Sequence, residues 1–282
     1  MVLRRAVDEL RMLLFRRSAE SGFFASCMDR LEKHRSYGIY RRLESAVTMV
    51  DADAQDGMKL WKTPSGALWA PLSERSTLVF CIGEQERGFY GTGERGVRAG
   101  DVVLDCGANY GTFTRYASNR GAQLVVALEP GPQTAKCLER TFANDPGVRV
   151  EPVGVWDEDC TLTLTQSSVS SSADSFVLPL EQTQGGLAVP VRTIDSLVES
   201  LGLPRVDFIK MDIEGAECRA LAGARRTLQT WKPRLAICTY HLPGDPRQIA
   251  SLVRSIRPDY RMQYGFRRKV RDNIIPRVAH FW

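Results

Sequence analysis

Gly100-Asp101-Val102-Val103-Leu104-Asp105-Cys106-Gly107-Ala108-Asn109-Tyr110-Gly111-Thr112 is the stretch that decides the fold. Val102, Val103 and Leu104 form the short apolar run of a buried strand. The small residues after them predict a tight turn, and residues 112–119 predict a helix. A strand that passes through such a turn into a helix opens a βαβ unit. It also aims backbone N–H groups at any ligand lying over the turn.

Downstream the pattern repeats. Residues 124–128 read as a second strand, 133–144 as a helix and 148–155 as a third strand. Residues 206–211 read as a fourth strand, 216–230 as a helix and 235–239 as a fifth strand. Residues 260–264 and 277–282 read as two strands pairing antiparallel at one edge. The alternation predicts an α/β, Rossmann-like fold: a mainly parallel seven-stranded sheet with helices on both faces.

Upstream the texture differs. Leu3, Ala6, Val7, Leu10, Leu13 and Leu14 share one helical face, and a weaker helical pattern runs through Phe24, Met28, Leu31, Ile39, Leu43 and Val47. The chain therefore divides into a helical N-terminal extension over residues 1–56 and a main domain over 57–282. Residues 57–99 carry β-hairpin elements around Pro64-Ser65-Gly66. The amphipathic face suits docking on the main domain, a homodimer contact or a membrane surface.

Of the 282 residues, 43% are hydrophobic and 25% charged, as in ordinary globular chains; a net charge of +5 does not by itself imply a nucleic-acid partner. The seven cysteines, Cys27, Cys81, Cys106, Cys137, Cys160, Cys218 and Cys238, include no CxxC pair. Reduced thiols of a cytoplasmic protein are expected. The longest apolar stretch near the N-terminus, residues 12–15, is too short for a membrane span. Ser-rich residues 166–172 suit a surface loop or a substrate wall. Arg267-Arg268-Lys269-Val270-Arg271 suits a solvated segment or a contact to an acidic group.

The turn itself selects a ligand. A nicotinamide dinucleotide needs a second glycine where its pyrophosphate passes, and Asn109 stands there. Asp105 would repel phosphate but would attract an ammonium. S-adenosyl-L-methionine carries an ammonium and a sulfonium and no phosphate, so Asp105, Gly107, Ala108, Asn109, Gly111 and Thr112 are assigned to it. Glu129, with Pro130, ends the second strand, where a carboxylate accepts hydrogen bonds from ribose hydroxyls. Val155, Trp156 and Asp157 follow the third strand, where an adenine is gripped or the chain simply turns.

Three blocks, residues 100–111, Val189-Pro190-Val191-Arg192-Thr193-Ile194-Asp195-Ser196-Leu197 and Asp207-Phe208-Ile209-Lys210-Met211-Asp212-Ile213-Glu214-Gly215-Ala216-Glu217, resemble the FkbM-type methyltransferases in content and order. The resemblance spans residues 90–260. It implies a class I methyltransferase fold, S-adenosyl-L-methionine as donor and O-methylation of a small molecule, a natural product or a sugar hydroxyl. One departure stands after the fifth strand. Many members carry Glu-x-His there, and this chain has Thr239-Tyr240-His241.

Methyl transfer to a hydroxyl needs acceptor, methyl and sulfur in line and a group to take the proton. His241 or Asp212, with Asp212 also facing the donor, is the expected base, and Glu214 the orienting group. Asp212, His241 and Asp245 also form a candidate ligand set for a divalent metal that lowers the hydroxyl's pKa. The alternatives are N-methylation of a small molecule, methylation of a nucleic acid, a nicotinamide-dependent oxidoreductase and a non-catalytic cofactor-binding scaffold. Asp212-Ile213-Glu214-Gly215 replaces the Asn/Asp-Pro-Pro-aromatic block of base-methylating enzymes and would repel a phosphate backbone.

Overall fold

The computed structural model describes residues 37–52, 56–167, 174–178, 183–270 and 273–282. The chain divides into two compact units, residues 1–42 and 43–282. The amphipathic helix expected over residues 3–14 lies outside the described residues. Residues 37–46 are helical (α1). The second unit begins at Leu43 rather than residue 57, with Leu43 and Val47 fully buried. Nor does a helical extension reach residue 56. Thr48–Ala52 is a strand (β1), whose backbone pairs with β2 (Met58–Thr63). Strand pairing overrides the weak helical pattern there.

β2 and β3 (Gly66–Pro71) form the expected hairpin, with Thr63 paired to Gly66 across the turn. Residues 77–81, within the stretch expected to carry hairpin elements, belong instead to a helix, α2 (Arg75–Arg87), which ends at Gly88 in a left-handed conformation.

The central sheet has seven strands. These are β4 (Val102–Cys106), β5 (Leu124–Leu128), β6 (Val148–Glu151), β10 (Phe208–Met211), β11 (Arg234–Cys238), β12 (Met262–Val270) and β13 (Asn273–Phe281). Their order is β12-β13-β11-β10-β4-β5-β6. The pairs from β6 to β11 are parallel, and β13 alone runs against its neighbours. Strands buried on both faces carry unbroken apolar runs. Leu104, Ile209, Met211 and Ile237 pack one way, against residues of α5 (Ile194–Ser200), α6 (Glu217–Ala222), α7 (Arg225–Trp231) and α8 (Asp245–Ile256). Val103, Val125 and Phe208 pack the other way, against Phe89, Tyr90 and Phe113 of α3 (Thr112–Asn119). α4 (Pro132–Phe142) joins β5 to β6.

Two elements differ from the sequence reading. The strand expected over 148–155 splits. Pro152 has no N–H for the ladder, so β6 stops at Glu151. Gly154–Val155 (β7) then joins a second sheet of order β7-β9-β8, with β8 at Cys160–Ser167 and β9 at Thr183–Arg192. The helix expected over 216–230 also breaks. Gly223 passes so close to Trp156 that a Cβ would lie 2.2 Å from its carbonyl oxygen. The Asp195 carboxylate then accepts N–H bonds from Arg226 (2.9 Å) and Thr227 (2.8 Å), starting α7 afresh.

The chain leaves β4 toward β5 and β6, and later builds β10 and β11 on the other side. This reversal puts a crevice over the carboxyl ends of β4 and β10, where open α/β sheets hold ligands.

Candidate active site

The loop after β4 is shaped by close approaches. Gly107 has φ +76°, and a Cβ on it would stand 2.1 Å from the Asp212 carbonyl oxygen. Asn109 takes φ +51°, a region that asparagine tolerates. Its side-chain Oδ1 accepts from the Tyr110 N–H at 2.6 Å. Gly111 serves packing rather than the crevice, because a Cβ there would meet Phe142 and Leu138 of α4 at 2.6 and 2.8 Å.

Glu129 fastens this loop. Its Oε2 accepts the Asn109 N–H at 2.8 Å, and its Oε1 accepts from the Gly131 N–H and the Thr134 hydroxyl, both at 2.9 Å. Burial raises its pKa, and the N–H bonds from Gly131 and Asn109 pull it back.

Asp105 does not reach the crevice. It is fully buried, 3.0 Å from the Lys210 ammonium, and accepts from the Thr114 hydroxyl at 2.6 Å. Lys210 also donates to the carbonyls of Cys106 (3.2 Å) and Gly107 (2.6 Å). Against the lowering effect of burial, Asp105 holds the Lys210 pKa above its ordinary value. The carboxylate expected to meet a ligand's ammonium meets an internal one instead.

Two clefts share a rim at Gly107, Asn109, Asp212 and Glu214. The first, with about 540 Å³ of open space, runs past Glu129, Pro130, Val155, Leu164, Asp174 and Phe176. Trp156 does not line it. Its ring turns to Phe176 (6.2 Å between centroids) and the Arg219 guanidinium (5.5 Å). The second cleft, with about 990 Å³, runs past Ala108 and Thr112 to Phe80, Cys81 and Glu84 of α2 and to Tyr90 and Tyr240.

Asp212 stands at the junction. Its Oδ2 accepts from the Tyr90 hydroxyl at 2.7 Å, and its Oδ1 accepts from the Tyr240 hydroxyl at 3.3 Å. Burial would raise its pKa, but His241, Lys210 and the Tyr90 bond bring it below the ordinary aspartate value. The His241 side chain is 3% exposed and faces three carboxylates. Nδ1 lies 2.8 Å from Glu217, and Nε2 lies 3.4 Å from Asp212 and 3.5 Å from Glu214. Burial lowers its pKa, but the Glu214 and Glu217 carboxylates beside it win and raise it to about 11. A pKa raised in this way favours the protonated ring at neutral pH, the reverse of what a base needs.

Asp245 is drawn elsewhere. Its Oδ2 accepts the Leu242 N–H at 2.7 Å at the start of α8. Glu217 stands where Asp245 was expected, and Asp212, Glu217 and His241 each offer a ligand atom within 4.8 Å of the others.

The profile of the methyltransferase FkbM domain matches residues 105–267, more than half of the chain. The chain belongs to the FkbM methyltransferase family. A hexuronic acid methyltransferase, AglP, of Haloferax volcanii is 28% identical over 155 residues, covering 54% of this chain and 61% of that protein. The 2-O-methyltransferase NoeI of Sinorhizobium fredii is 28% identical over 143 residues, covering 45% of this chain and 58% of that one. The matches thus span about six tenths of these relatives' length. A crystal structure of methyltransferase FkbM from Methylobacillus flagellatus shares the fold, with a TM-score of 0.51 at 21% identity, over 88% of this chain and 59% of that one.

In this FkbM chain several lining groups carried no usable sequence signal. Glu84 and Tyr90 come from the region before the motifs. Glu84 is buried, with Arg277 of β13 at 3.0 Å; burial lifts its pKa to about 7 while Arg277 pulls it back. Asp174 and Phe176 follow the Ser-rich stretch, of which residues 168–172 lie outside the described residues, as does Arg271 of the basic run. Lys210, Glu217 and Tyr240 stood inside quoted motifs, and only the fold gives them partners. No helix among the described residues is long and apolar enough to cross a membrane.

Proposed function

We propose that this chain transfers a methyl group from S-adenosyl-L-methionine to an oxygen of a small-molecule acceptor such as a sugar hydroxyl. The observation that carries the reading is the charge of the first cleft. Its described lining holds Glu129, Asp174, Asp212 and Glu214 and no lysine, arginine or histidine. A dinucleotide's phosphates would face four carboxylates with no cation to answer them. A cationic, phosphate-free donor meets the opposite situation.

Glu129 would hold one ribose hydroxyl of that donor, using the lone pair on Oε2 that its three internal bonds leave free. Val155 and Phe176 supply apolar wall for the adenine. When bound, the donor supplies an electrophilic methyl. The second cleft, open to the same rim, takes the acceptor. Asp212 receives the acceptor's O–H hydrogen bond and its proton, and Tyr90 and Tyr240 keep its two oxygens aimed. Glu214, which lines both clefts, orients the acceptor. The relatives named for hexuronic acid and for 2-O-methylation support an oxygen acceptor on a sugar.

Calorimetric titration with S-adenosylhomocysteine and with NAD tests the donor. Saturable binding of the first and none of the second is expected. Binding of NAD alone would sink the assignment.

A further inference from the structure

We propose that His241 Nε2, Asp212 Oδ1 and Glu214 Oε1 form a binding site for one divalent transition cation, with Glu217 orienting the histidine. The proposal goes beyond methyl transfer and does not depend on it.

The histidine's two nitrogens have different surroundings. Nδ1 sits 2.8 Å from Glu217 Oε1, and the same oxygen accepts the Ile213 N–H at 3.1 Å. Glu217 is fully buried, so this pair fixes both the ring's orientation and its tautomer, with the hydrogen on Nδ1. Once the ring gives up its second proton, Nε2 is left with its lone pair. It is buried, and no hydrogen-bond partner meets it. Its neighbours are the two carboxylate oxygens at 3.4 and 3.5 Å, long for charge-assisted hydrogen bonds.

Those spacings have another meaning. Nitrogen and carboxylate ligands sit about 2.1 Å from a divalent transition ion, so two of them at a tetrahedral angle stand about 3.4 Å apart. Both separations from Nε2 match one such edge. The carboxylate behind Nδ1 completes the carboxylate–histidine–metal arrangement that sets ring orientation and ligand basicity at metal centres. Asp212 is fixed from the other side by Tyr90 at 2.7 Å. One imidazole and two carboxylates suit manganese or zinc. The cation replaces the proton on Nε2. Asp212 and Glu214 line both clefts, so a cation they held would stand beside the shared rim and would lower the pKa of a hydroxyl bound there.

The test uses the full chain, stripped with chelator, with no donor or acceptor present. Manganese chloride is titrated in while the electron paramagnetic resonance signal of free Mn²⁺ is followed; zinc is titrated separately by calorimetry. One saturable equivalent is expected for the wild type. Glu217→Gln should weaken it about 10- to 100-fold, the usual effect of losing an orienting carboxylate. Asp245→Asn should leave it unchanged, since Asp245 bonds the Leu242 N–H instead. His241→Ala should abolish saturable binding; should it fail to fold, Glu214→Gln reads the same ligand set. Absence of saturable binding of both ions by the wild type would overturn the site, as would unchanged binding in the folded His241 or Glu214 variant. Either failure leaves S-adenosylhomocysteine binding by the stripped protein, and hence the methyl-transfer reading, standing.

Discussion

The two clefts meet at one aspartate but are built in opposite ways. The first takes Gly107 and Asn109 from the loop after β4 and Glu129 and Pro130 from the next strand end, and is closed by Val155 and Phe176. The second gathers Glu84 from α2, Tyr90 from the loop after it, Asp212 after β10 and Tyr240 after β11. A constant ligand is met by a local loop, whereas a particular acceptor is met by groups far apart in sequence. Both clefts share the motif loop, and only the second adds Glu84 and Tyr90 from before the motifs.

Asp212→Asn bears hardest on this contrast, because Asp212 lines both clefts. The amide keeps the shape but takes no proton. Turnover, followed as S-adenosylhomocysteine release, should fall about 10²- to 10⁴-fold. Calorimetric affinity for S-adenosylhomocysteine should change far less. Equal losses in turnover and affinity would assign Asp212 to the donor, and the two clefts would then cease to be separate in function.

Asp105→Asn asks whether the donor motif's acid touches the donor at all. Asp105 is buried against Lys210 at 3.0 Å, so removing its charge strands a buried ammonium. Breaking such a pair costs about 3–5 kcal/mol of stability. The urea midpoint should drop accordingly, and a Lys210→Met change added to it should restore part of the loss. An unchanged midpoint with weakened S-adenosylhomocysteine binding would return the acid to the ligand, where sequence logic first placed it.

That case shows what was legible. The βαβα alternation, the hairpin at Thr63–Gly66 and the antiparallel terminal pair follow from periodicity, and the sheet contains all seven expected strands. Periodicity missed the break at Gly223 and the exit of the chain after Glu151. Both are set by contacts with distant segments, the Trp156 carbonyl in one case and β9 in the other. For the site, chemistry at strand ends drew attention to Asp212, Glu214 and His241, which the fold brings together. It could not assign protonation, because the carboxylates around His241 are brought there by folding.

The smallest effect concerns the other described histidine that the sheet buries. His280 of β13 is 3% exposed and its Nδ1 has no hydrogen-bond partner. Where His241 has three carboxylates, His280 has burial first and then the Arg95 charge, and its pKa falls to about 3. Below the ordinary histidine value near 6.5 the unfolded chain takes up a proton that the folded chain refuses. Stability from the neutral ring is thus present above that pH. It drains away as pH falls toward about 3, at up to about 1.4 kcal/mol per pH unit. Urea midpoints at pH 7 and pH 5 should fall further apart in the wild type than in His280→Phe, which has nothing to titrate there. Equal separations would mean that His280 finds a partner in solution, and the contrast between a histidine caged by acids and one left bare would lose its second half.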